Sequence, residues 1–146
     1  MKFIFLSLIF SSFVFGQAKG KATMVIYPGC ETYVKKGNQQ LFNCLNNSMK
    51  ADLKEELEHV LRVNNLSAKT TSMNAKVKFK INEVGEIEDI VVDGTVAEQF
   101  LLHQAFVGFS ANMANQSKKI IPAVNDEGKT VGLRFSMPFV IQNFNR

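Results

Sequence analysis

A chain of 146 residues that is 46% hydrophobic and 21% charged has the balance of one ordinary globular domain, which excludes a disordered or fibrous protein. Its net charge of +4 comes from 17 basic residues scattered among 13 acidic ones, with no basic run longer than Lys35-Lys36 and Lys118-Lys119. That spread describes a solvated surface and argues against nucleic acid as a partner, which needs a clustered basic stripe.

In chain order, Met1–Gly16 carries one positive charge, Lys2, and then an apolar run from Phe3 to Phe15. This is the pattern of a signal peptide, and the run falls short of the roughly 20 apolar residues that a membrane-spanning helix requires. Gly16, with Val14 two places earlier, predicts cleavage before Gln17 and hence an exported protein, periplasmic or secreted, with no permanent membrane anchor. Export predicts in turn that the two cysteines, Cys30 and Cys44, pair as a disulfide. Residues 17–38 read as an N-terminal extension carrying Cys30, in which Thr23–Tyr27 is either a short edge strand or a tether.

The main domain is expected over residues 39–146. From Gln39 to Val63, the residues Leu41, Leu45, Met49, Leu53, Leu57 and Leu61 recur every four positions, with Phe42 and Val60 widening the stripe. The spacing predicts an amphipathic helix capped by Asn38, with the Asn46-Asn47-Ser48 trio as a candidate break. Ala75, Val77, Phe79 and Ile81 then alternate with Lys76, Lys78, Lys80 and Asn82, the period of a half-buried strand. The turn Glu83-Val84-Gly85-Glu86 leads into a second strand through Ile87, Ile90 and Val92, completing a hairpin.

Val96 to about Met113 predicts a second helix, and Ser117–Lys129 a loop broken at Pro122 and Gly128. Val131, Leu133, Phe135 and Met137 alternate with Gly132, Arg134 and Ser136 in a last strand. The expected fold is α+β: a three-stranded antiparallel sheet with two helices packed on one face. No nucleophile elbow, phosphate-cradling glycine loop or paired acid and base is present at a recognised spacing, so no catalytic residue and no cofactor is expected. His59 and His103 fall on separate helices without partners at ligand spacing, and no metal site is expected. Glu83, Glu86, Glu88 and Asp89 read as a solvated turn.

Tyr27–Glu31, Cys44-Leu45, Val77–Val92, Ile121-Pro122 and Gly128–Val140, taken in this order, resemble the TonB C-terminal-like domains of Bacteroidetes-type bacteria. Tyr27-Pro28-Gly29-Cys30-Glu31 and Cys44-Leu45 are similar to that family's opening, and Val77–Val92 to its hairpin. Ile121-Pro122, Gly128–Gly132 and Leu133–Val140, with the late Pro138, are similar to its closing loop and strand. The chain departs from the family's full-length transducers, which carry a membrane anchor and a proline-rich linker, since its apolar run lacks the anchor's histidine and it has three prolines in all. It also departs at Gln104-Ala105-Phe106-Val107, where the family has Glu-Ala and a basic residue.

The resemblance implies a periplasmic module that adds a short peptide of an outer-membrane transport receptor, or of another envelope protein, to an exposed sheet edge. The strand implied is Val131–Val140, with Val131, Leu133, Arg134, Phe135 and Met137 as binding residues and Arg134 facing an acidic partner. Three alternatives stand beside it: an envelope structural protein that forms a homodimer through the same edge, a last strand whose edge is protected, and a small secreted enzyme or inhibitor, for which the sequence offers no paired polar groups at a recognised spacing.

Overall fold

The computed structural model describes residues 21–142, and the expected signal peptide with its cleavage point at Gly16 and Gln17 lies outside the described residues. Helix α1 (Asn38–Val63) is as long as its leucine stripe, because Leu41, Leu45, Met49, Leu53, Leu57 and Leu61 are all buried. It runs unbroken through Asn46-Asn47-Ser48, since Leu45 and Met49 on either side are anchored in the core and packing outweighs the poor helix propensity of asparagine. Phe42 does not widen the stripe and is partly exposed. Gly37, not Asn38, occupies the cap position. The Asn38 side chain instead accepts the Met24 N–H at 3.0 Å and donates to the Ala22 carbonyl at 3.2 Å, which ties the preceding segment to the helix.

Strand β1 (Met73–Ile81) buries Met73, Ala75, Val77, Phe79 and Ile81 and exposes the residues between them, so only one face of the sheet is covered. It is central. Strand β2 (Ile87–Asp93) pairs with one side of it and β5 (Leu133–Ile141) with the other, both antiparallel, giving the order β2-β1-β5. The hairpin turn requires Gly85, whose φ is +85° and where a Cβ would overlap the Ile120 carbonyl oxygen. Within β2 the register slips by a bulge at Asp89, which adopts φ 53°.

Helix α2 (Val96–Asn115) starts on a capping box: Thr95 accepts the Glu98 N–H, and Glu98 accepts the Thr95 N–H at 2.8 Å. It lies over β2 and β1, with Phe106 against Phe79 at 5.9 Å between ring centroids, and packs beside α1. At Gly108 the helix leaves room for the Glu56 side chain of α1, which a Cβ there would displace. The expected 117–129 loop contains β3 (Ala123–Val124), which forms a small hairpin with β4 (Thr130–Val131) just beyond it, and Thr23 and Ile26 bridge to Val124 and Ile121. Val25, Tyr27 and Cys30 are thereby buried in the same core as the sheet and helices.

The expected Cys30–Cys44 disulfide is formed, and the loop it closes holds a 3-10 turn, Glu31–Lys36, followed by the first turns of α1. No described helix is long and apolar enough to cross a membrane. Reducing the disulfide removes the constraint on a loop of about 15 residues and is expected to cost roughly 3 kcal/mol, read as the difference between denaturant melts with and without reductant.

The Glu98 carboxyl is held below the ordinary carboxylate range, first by the Asn74 backbone N–H and then by Thr95. A depressed folded-state value means its stabilisation is complete above the unfolded-state value and is lost as pH falls through the folded one. Denaturant melts from about pH 6 to about pH 2 should therefore show a steeper acid loss for the wild type than for Glu98→Gln.

Candidate functional site

In an antiparallel ladder, successive residues alternate between bonding their neighbour and turning N–H and C=O away from it. Asn74 and Asn82 bracket the alternation of β1, and both donate on the β2 side, to Glu98 Oε1 at 2.8 Å and to the Glu86 carbonyl at 2.9 Å. Even-numbered residues of β1 therefore face β2, and odd-numbered ones face β5. The register Val77↔Met137, Phe79↔Phe135 and Ile81↔Leu133 then commits the odd-numbered residues of β5 to β1. Arg134, Ser136, Pro138 and Val140 turn their main chain outward.

Pro138 agrees with this parity, because proline lacks an N–H and sits in a strand where none is needed for the ladder. Among the described residues no other strand pairs with the outer side of β5. That edge offers the N–H groups of Arg134, Ser136 and Val140, with a gap in the donors at Pro138.

The five residues expected on the binding strand separate accordingly. Val131 is not on this edge, because the strand expected from Val131 onward is interrupted at Gly132 and Val131 pairs with Ala123 in the small hairpin. The end of the Lys80 side chain lies against Gly132 at the break. Leu133, Phe135 and Met137 are on β5 but turn toward the helices: Met137 is buried, and Phe135 stacks on Phe79 at 5.4 Å. Arg134 alone of the five contributes an outward amide.

Its guanidinium donates to Asp89 Oδ2 at 2.9 Å, reaching across β1 to the bulge. Both side chains are exposed, so the pair contributes little to stability and can exchange for another carboxylate at small cost. Ser136 and Val140 were not singled out from the sequence, although Pro138 carried the clue, since a proline within a strand marks the parity whose amides face away from the ladder.

Beside the C-terminal half of the edge, Lys50, Ala51 and Lys54 of α1 face residues 138–141 across a groove of about 280 Å³. Side chains of a strand laid along β5 would alternate between this groove and the open face of the sheet. On that open face Lys80 donates to Glu88 Oε1 at 2.7 Å, a bond that raises the lysine and lowers the carboxyl from their ordinary values. Glu88 and Asp89 are thus paired with cations of the protein itself.

A separate cleft of about 410 Å³ lies between α1 and α2, lined in part by Tyr27, Asp52, Glu56 and Asn112. The Tyr27 hydroxyl donates to Asp52 Oδ2 at 2.6 Å, and Asn112 Nδ2 donates to Glu56 Oε2 at 2.6 Å. Burial first, and the Asp52 bond second, push the tyrosine above its ordinary value, so the phenol keeps its proton. Both bonds act as ties between elements, Tyr27 to α1 and α2 to α1. No group of three or more His, Cys, Asp or Glu that could hold a metal occurs among the described residues.

No family model, no curated protein and no solved structure matches the chain. The backbone parity of β5 has a direct test in stability. Ser136→Pro removes an outward amide and should change the unfolding free energy by no more than about 1 kcal/mol. Leu133→Pro removes a ladder bond and should cost about 1–3 kcal/mol beyond Leu133→Ala, both read from denaturant melts.

Proposed function

We propose that the protein is an exported binding module, similar to TonB C-terminal domains, that engages an outer-membrane transport receptor or another envelope protein by adding a peptide strand to β5. The reading rests on one observation above all: the outer side of β5 is unpaired by any described strand. Its donors stand at alternate residues, the arrangement that main-chain recognition by strand addition uses. The Cys30–Cys44 disulfide agrees with an oxidising compartment.

The groove next to the edge gives the partner's side chains a chemistry. An extended peptide would place alternate residues in the groove beside Ala51, where a small apolar group fits, with Lys50 at the rim favouring an acidic residue nearby. Pairing would be strongest along Arg134–Ser136 and would weaken at Pro138, where a donor is missing. The site has no nucleophile with a base beside it, and the module is proposed to bind rather than catalyse.

The test is capture from envelope extract with the wild type and with Ser136→Pro, each checked for folding by its thermal melt. Recovery of a TonB-dependent receptor by the wild type, reduced at least tenfold with Ser136→Pro, is the expected result. Equal recovery by both proteins, or no receptor with either, would set strand addition aside.

A further inference from the structure

The outward face of α2 is unlike a solvated helix surface. Val96, Phe100 and Val107 are 83%, 53% and 58% exposed, and His103 and Ala111 are exposed beside them. Their spacing of three and four residues gathers them into one stripe, on the side of the helix opposite Leu102, Ala105 and Phe109, which are buried. Glu98 is the one charged residue in this 20-residue helix, and its carboxylate is already taken by the Thr95 and Asn74 amides. A helix that is apolar on both faces belongs in an interior, and an exposed apolar strip marks a contact surface.

We propose that this strip is a two-fold contact with a second copy of the chain, in which α2 lies antiparallel to the second copy's α2. The distribution of side-chain size selects that occupant. Val96 and Phe100 are large and lie in the N-terminal half, whereas Ser110, Ala111 and Ala114 are small and exposed in the C-terminal half. An antiparallel pair related by a two-fold axis near His103 and Val107 sets the large end of each helix against the small end of the other, so that ridges meet grooves. Parallel pairing would put Phe100 against itself and leave the alanines apart.

Charge points the same way. A two-fold contact confronts groups near its axis with their own copies, which disfavours any strip that carries charge, and this one carries none. A partner chosen by charge would find nothing on it to recognise. The area sets the strength: a 20-residue helix is about 30 Å long, and a strip roughly 10 Å wide covers about 300 Å² per copy. That is well below the roughly 800 Å² per partner of a standard stable complex, so the dimer forms only as concentration rises.

The contact stands apart from the strand-addition reading. Helix α2 lies over β2 and β1, and β5 is the edge on the other side of β1, so a dimer through α2 leaves both β5 edges open. Each particle would then present two acceptor edges.

Sedimentation velocity of the purified protein from about 5 to about 500 µM is the test, with thermal melts to confirm that each variant folds. The wild type should pass from monomer toward dimer in the upper part of that range. Val107→Lys, which sets two positive charges across the axis, should weaken association at least tenfold, and Ser136→Pro should leave it unchanged. A wild type that stays monomeric throughout overturns the proposal, as does a dimer unaffected by Val107→Lys. A dimer lost with Ser136→Pro but kept with Val107→Lys would place self-association on β5 and would also overturn it.

Discussion

A strand has only two sides for hydrogen bonds, and β1 uses both. Its odd-numbered side chains enter the core while its amides are divided by parity between β2 and β5. A slip of one residue would send Phe79 and Ile81 to solvent and Lys78 and Lys80 into the core, a cost far above any gain available elsewhere in the sheet. The register is fixed for that reason, and with it the set of β5 amides that face outward. The helices lock the arrangement from one face, through Phe106 on Phe79 and the α1 leucines beneath, and the Cys30–Cys44 disulfide fastens the first segment to α1.

Among the described strands the outer sides of both β2 and β5 are unpaired and one face of the sheet is open, and of the surfaces left uncovered the outer sides of β5 and of α2 differ in kind. The outer side of β5 exposes main-chain groups, the kind of surface that strand addition uses with little regard to side-chain identity. The outer side of α2 exposes apolar side chains without charge, which favours a shape-matched helix. They face different parts of the molecule, and occupation of one leaves the other accessible.

Much of the fold was legible in the sequence because the relevant signals are periodic. The four-residue leucine stripe, the alternation from Ala75 to Ile81 and the glycine turn at Gly85 each fix an element through burial, and each element was found. The misses have local physical causes. Asn38 reads as a cap, yet its amide serves the backbone of Met24 and Ala22, a tertiary use that no local pattern reveals. The strand expected to begin at Val131 looks continuous by alternation, but Val131 pairs with Ala123 while Leu133 pairs with Ile81, a change of partner that alternation does not show.

At the candidate site, alternation identified the strand, and of the five residues that the resemblance implied only Arg134 turns its amide outward, because hydrophobic spacing reports side chains that face the core while the amides of the free edge have the opposite parity. Hydrogen–deuterium exchange of the protein, resolved to single amides by NMR, measures that parity directly. The account predicts fast exchange at Arg134, Ser136 and Val140 and strong protection at Phe135, Met137, Phe139 and Ile141. Protection at Ser136 equal to that of its neighbours in dilute protein, or fast exchange at Phe135 and Met137, would contradict it.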